Sequence, residues 1–209
     1  MISGEKMVPT IENAVSDLPQ KQKAKLYPVV LELFSTRDFH QVSVREISKL
    51  SGISTTTIYR YFPSKEKLLF SILDEKLSEL AGLLKMHMQG LESTKEMFRK
   101  LFWVTLDHYD STPGMAVANI VTAPTHAWMV EGSYRRKDAY LLIGQIIEHG
   151  RARGELDPAI SDEHMIDLYF MYCYRQIQRW CFRKKNTKLA DSVGLFFDVF
   201  WKTVSIPSG

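Results

Sequence analysis

Between Val42 and Leu69 the sequence runs VSVREISKLSGISTTTIYRYFPSKEKLL, two short helix patterns joined by a single glycine turn and followed at once by a third helix start. Few folds tolerate so quick a stop and restart. Ser43, with Glu46 three residues later, carries a capping-box signature, and Val44, Ile47 and Leu50 give that helix a buried stripe. Gly52 supplies the turn, Ser54 caps the next helix, and Pro63-Ser64 punctuates before the following one. The middle helix keeps Ile58 and Phe62 as apolar anchors and offers Thr55, Thr56, Thr57, Tyr59, Arg60 and Tyr61 outward. A slim helix braced by a neighbour suits the major groove of DNA, where hydroxyls and methyls meet phosphates, base edges or thymine methyls. The same row also suits an ordinary helical hairpin with a solvated face.

Charge distribution adds to this. From Gln20 to Lys67 there are nine basic residues against Glu32, Asp38, Glu46 and Glu66, a local excess of +5 in a chain whose net charge is +3. A basic end on a slightly acidic remainder is the footprint of phosphate binding, although a solvated charged surface has the same composition. At 209 residues and 45% hydrophobic content, the chain suits one domain or a small head on a larger body. Cys173 and Cys181 lie eight apart on one helical pattern, about 12 Å along its axis, too far to bridge. With no signal-peptide core and no run of about 18 apolar residues, a soluble, cytoplasmic protein without membrane association is expected.

Nearly all of the chain reads as helix. A loose, flexible leader is expected over 1–18. The first helix runs near Pro19 to Arg37, interrupted by Pro28, with Asp38 suited to close it in a left-handed conformation. The long helix after Ser64 carries Leu68, Leu69, Ile72, Leu73, Leu77, Leu80 and Leu84. Further helices are expected from Thr94 to Tyr109, from Met115 towards Thr122, from about Thr125 or Ser133 to Arg151, from Ser161 to about Phe182, and from Leu189 to Val204. The fold class is therefore all-α: a three-helix head with a helix-turn-helix on a larger helical bundle, about nine helices in all. The head spans 19–66, with its groove-entering helix at about 54–60, and the bundle spans 67–209.

The stretch LELFSTRDFHQVSVREISKLSGISTTTIYRYFPSKEKLL resembles the DNA-binding head of the TetR family of bacterial regulators. Phe39, Val44-x-x-Ile47, Gly52-Ile53-Ser54, the run from Ile58 to Phe62, and Lys65-Glu66-x-Leu68 all stand in the family's order. Asp38 replaces a usual glycine, and Pro28 sits where the family has an uninterrupted helix. The resemblance implies phosphate contacts from Tyr59, Tyr61 and Lys65, and base or phosphate contacts from Ser43, Arg45, Thr55, Thr56, Thr57 and Arg60. It also implies a homodimer on palindromic operator DNA, a ligand cavity in the bundle, and an interface made by the last two helices.

The body's residues can be read beside those expectations. The pattern from Ser161 carries Tyr169, Tyr172, Tyr174, Ile177 and Trp180 nearly all round, and the last helix offers Leu195, Phe196, Val199 and Phe200. Tyr174, Ile177, Leu195, Phe196, Val199 and Phe200 are thus candidates for a subunit interface, though a large core explains them equally. Candidate pocket residues are Trp103, His108, Tyr109, Met115, Asn119, His126, Trp128, Tyr169, Tyr172 and Cys173, a mix that favours a small hydrophobic ligand. Arg179, Arg183, Lys184, Lys185 and Lys188 form a basic cluster most simply read as favourable charge at a helix C-terminus. No phosphate loop, metal-spaced Cys/His cluster or nucleophile elbow is present, so neither an enzyme nor a cofactor or metal protein is expected. A ligand-responsive transcriptional regulator, most simply a repressor, is the first reading. A DNA-bound structural or protein-recruiting factor without an effector is the second.

Overall fold

The fold is taken from a computed structural model that describes residues 18–123, 137–183 and 186–206. Nine α-helices occur among these residues: α1 (Gln20–Thr36), α2 (Val44–Ser51), α3 (Thr55–Tyr61), α4 (Lys65–Met88), α5 (Thr94–Ser111), α6 (Pro113–Val117), α7 (Lys137–Ala152), α8 (Asp162–Phe182) and α9 (Val193–Val204). The chain is all-α, with a helix-turn-helix head. A single isolated bridge between Leu156 and Ser205 is the β-type pairing among the described residues. The expected leader falls almost wholly outside them.

Local chemistry sets the helix starts. Ser43, Ser54, Ser64, Ser93 and Ser161 each accept a hydrogen bond from the backbone N–H three residues on. Each satisfies a donor that helix geometry leaves orphaned. Pro28 does not break α1, which begins eight residues before it and continues to Thr36. Asp38 was expected in a left-handed closing position, but it is extended at φ −61° and leads into a 3-10 turn at Phe39–Gln41. The extended Arg37–Asp38 step turns the chain without needing a left-handed residue. Stacking of Phe34 on Phe39, ring centroids 5.3 Å apart, fixes the exit.

One continuous core runs through head and body. In the head it holds Leu26, Val30, Phe34, Ile47, Ile58 and Phe62; in the body Phe98, Phe102, Ile143, Tyr169, Phe197 and Phe200 fill it. Helix α4 joins the two. Near its head end, Glu75 accepts both contacts from Lys23 Nζ (2.9 and 2.8 Å) and a third from the Tyr27 hydroxyl (2.7 Å), tying α4 to α1. Burial, and then the adjacent Glu75 carboxylate, push the Tyr27 phenol well up, so it stays a donor. Further on, Leu80 and Leu84 enter the body core.

Helix α6 is the second link. It packs on α1, and a Cβ placed on Gly114 would lie 3.4 Å from the Leu31 carbonyl oxygen. Beyond it, Ala118–Thr122 relaxes into a π-helical turn, closed by the Ala123 N–H donating to the Ala118 carbonyl at 2.9 Å. Such turns interrupt the regular ladder and are frequent at functional sites.

Candidate nucleic-acid interface and body cavity

Helix α3 takes its orientation from α2 and the turn between them. Gly52 has φ 69°, the left-handed position that glycine adopts without strain, and Ser51 Oγ accepts from the Ile53 N–H at 3.3 Å. Ser54 accepts from the Thr57 N–H at 3.1 Å and pairs with the Thr57 hydroxyl at 2.8 Å. The Ser43 cap is present, yet Glu46 does not complete the reciprocal half of the box; its carboxylate accepts from Arg37 at 2.7 Å, pinning α2 to the end of α1.

The two faces of α3 then separate cleanly. Ile58 and Phe62, four residues apart, are buried and hold the helix to the head. Thr56, Tyr59 and Arg60 are exposed, Tyr59 to 52%, while Thr55, Thr57 and Tyr61 are half-buried beside them. The helix has no acidic residue in its first turn, and Arg60 lies in its last. Arg60 also rests over the Tyr61 ring, 4.9 Å from the centroid. Ser43 and Arg45, at the start of α2, are exposed. What results is a slim, polar ridge free of negative charge on an apolar anchor.

Lys65 departs from simple expectation. Its ammonium donates to the carbonyls of Phe39 (2.7 Å) and Val42 (2.9 Å) and lies 4.4 Å over the Phe39 ring. It fastens the start of α4 across the loop before α2. An ammonium has three donors, so two such bonds leave one for an outside acceptor.

The pocket candidates scatter. Tyr109, Tyr169 and Cys173 line a narrow crevice of about 30 Å³ between α4, α5, α7 and α8. Asn119 is buried beside it and donates to the Tyr109 hydroxyl at 2.9 Å. Trp103, expected inside, is 40% exposed and lines an open groove of about 670 Å³ between α5 and α9, because α5 turns that flank away from the core. Met115 borders the groove between α1, α4 and α6. Tyr172 lies on the far side of α8, its hydroxyl donating to the Ser192 carbonyl, in a surface cleft with Arg179, Arg183 and Lys188. His126, Trp128, Lys184 and Lys185 lie outside the described residues. Thr105 also lines the crevice, and sequence reading missed it; its signal was the spacing of one turn before Tyr109 on the same face.

His108 does not reach the crevice either. It sits near the charges of Lys76, Glu79 and Asp107, with Nε2 buried and without a hydrogen-bond partner. Burial lowers its pKa below 6.5, with Glu79 opposing. A base whose folded pKa is depressed is held neutral, so the unfolded chain takes up the proton first as pH falls. Its share of stability is whole above about pH 6.5 and is lost below it. Urea midpoints should therefore fall between about pH 7 and pH 5.5, and fall less in His108→Gln. Equal pH slopes for the two proteins would contradict this.

The interface candidates divide. Leu195 and Val199 project outward, 90% and 60% exposed. Phe196 is half-buried, stacked on Tyr172 with centroids 3.5 Å apart, and Tyr174 borders the crevice. Ile177 and Phe200, expected at a subunit interface, are instead buried within the chain, where Phe200 meets Phe98 and Phe102. Met171 and Phe182 are also exposed on α8, eleven residues and so about three helical turns apart.

The family profile "Bacterial regulatory proteins, tetR family" matches residues 30–72. The fatty acid metabolism regulator protein of Bacillus subtilis is 30% identical over 106 residues, 49% of this chain and 53% of that one. The nucleoid occlusion factor SlmA of Actinobacillus pleuropneumoniae is 24% identical over 123 residues, 59% of each chain. The matches thus span between half and three fifths of these relatives' lengths. The crystal structure of the transcriptional regulator FadR from Bacillus subtilis, in complex with stearoyl-CoA, shares the fold with a TM-score of 0.77 at 16% identity, covering 85% of this chain and 96% of that one. Residues 30–72 thus match the helix-turn-helix head of the tetR family of bacterial regulatory proteins, and they stand on an all-α body that shares its fold with FadR.

Proposed function

We propose that this transcriptional regulator is a cytoplasmic repressor that binds palindromic operator DNA as a homodimer and leaves it when a small hydrophobic ligand enters the body. The outward ridge of α3 carries the reading. Ser43, Arg45, Thr55, Thr56, Thr57 and Arg60 address bases or phosphates, while Tyr59, Tyr61 and the spare donor of Lys65 hold the backbone. Two heads on one two-fold axis then meet half-sites about one helical turn apart. The head is residues 19–66 and the remainder senses and pairs. Ligand release works by differential affinity: a guest that widens the crevice displaces α4, and α4 carries the Glu75 tie to the head. The FadR structure with stearoyl-CoA supports a ligand with a long apolar part. Selecting bound duplexes from a random pool tests the proposal. A palindromic motif is expected; a non-palindromic motif, or none, counts against it.

Dimerisation is supported by exposed apolar residues on the last two helices, Met171 and Phe182 on α8 and Leu195 and Val199 on α9. Exposed apolar residues gathered on two adjacent helices mark an association surface. Leu195→Asp should shift the protein to monomer in sedimentation velocity and weaken operator binding by at least about tenfold, because two linked heads gain from effective concentration. A dimer that persists unchanged would remove Leu195 from the interface.

A second reading, a DNA-bound structural or protein-recruiting factor with no effector, is favoured by the small crevice and by the similarity to SlmA. About 30 Å³ is far below the usual few hundred Å³ of a ligand site. Failure of every hydrophobic compound to raise the melting temperature would favour this reading.

A further inference from the structure

The crevice between α4, α5, α7 and α8 is walled mainly by leucine, tyrosine and alanine, and no charged side chain lies among the described residues that line it. Two neutral pairs supply polar atoms at or beside it. Thr105 Oγ1 and the Tyr169 hydroxyl lie 2.7 Å apart, buried, and Cys173 lines the same crevice. One turn further along α5, the Tyr109 hydroxyl accepts from Asn119. Burial pushes the Tyr169 phenol and the Cys173 thiol up, so both remain protonated and uncharged.

Such walls accept some groups and reject others. Alkyl surface gains by leaving water. A hydroxyl or carbonyl oxygen can exchange hydrogen bonds with the threonine–tyrosine pair, since each hydroxyl offers one donor and two acceptor sites. A carboxylate, phosphate or ammonium loses its hydration and meets no counter-charge among the described residues that line the crevice.

We propose that the crevice takes an uncharged, largely apolar molecule whose single hydroxyl or carbonyl oxygen is held by Thr105 and Tyr169. This rests on the ligand-responsive reading and deepens it by naming the ligand's chemistry. Binding widens the crevice, whose volume of about 30 Å³ is smaller than any such guest. Thr105 sets specificity, because its side chain is the aliphatic-scaffold member of the pair and can lose its hydroxyl to valine with little change of shape.

Calorimetric titration of the full chain with 1-decanol, decanoate and decyltrimethylammonium, each below its aggregation concentration, tests this. Decanol is expected to bind, and both ions at least about tenfold more weakly, at about pH 7.5. Thr105→Val should weaken decanol by about fivefold or more, whereas Thr105→Ser, which keeps the hydroxyl, should stay within about twofold. Either ion binding as tightly as decanol would overturn the proposal, as would a folded Thr105→Val that binds decanol like the unaltered protein. If none of the three probes binds a protein that still binds DNA, the ligand-responsive reading itself falls, an outcome distinct from loss of selectivity.

Discussion

Phe102→Ala should cost about 3–5 kcal/mol of folding stability, a large part of the roughly 5–15 kcal/mol that a domain has. Phe102 is fully buried and is the centre of the body's aromatic cluster. Its ring lies 5.0 Å from Tyr169 and Phe200, 5.6 Å from Tyr172 and Phe196, and 6.3 Å from Phe197, mostly edge to face. It thereby joins α5 to α8 and α9. Truncation leaves a hole that the rings on α8 and α9 cannot all collapse to fill. Urea unfolding should show a lower midpoint with little change in slope. Trp103→Ala, one residue along on the exposed flank, should cost under about 1 kcal/mol. Similar costs for the two would contradict the packing described, and so would a loss at Phe102 below about 1 kcal/mol.

The second large effect concerns DNA. Arg60→Glu removes a guanidinium from the exposed ridge of α3 and places a carboxylate where phosphates or base edges approach. Losing one such contact is worth about 1–3 kcal/mol, and reversal adds repulsion, so operator affinity should fall by about a hundredfold or more. The fold should be unaffected, because Arg60 is exposed and its neighbour contact is with Tyr61 alone on α3 among its hydrogen bonds described. Fluorescence anisotropy with labelled duplex and a circular-dichroism melt separate the two properties. An unchanged affinity would take Arg60 off the DNA.

How far the sequence spoke depended on how local the cause was. Ser43, Ser54, Ser64 and Ser161 were legible as caps because a cap is settled within three residues. Gly52, Ile58 and Phe62 were legible for the same reason, together with the periodicity of a short helix. Long-range geometry was not. Lys65 reads as a surface cation, yet its carbonyl partners are 23 and 26 residues away. Ile177 and Phe200 face inward and Leu195 outward on helices whose apolar residues encircle them, and periodicity cannot say which flank meets the body. Trp103 and Tyr109 share α5, but one lines an outer groove and the other the crevice. The opposite case is Glu46, whose capping partner was written in the sequence but whose carboxylate is taken by Arg37, nine residues back.

On the proposed reading, α3, held by Ile58 and Phe62, reads DNA. Anisotropy titration of the full chain against duplex from upstream of its own gene, beside a scrambled duplex, across a salt series tests it most directly. The expected result is a preference for the upstream duplex of about a thousandfold or more, with log affinity falling linearly against log salt. Equal affinity for the two duplexes, or no binding at low salt by a folded dimer, would contradict it.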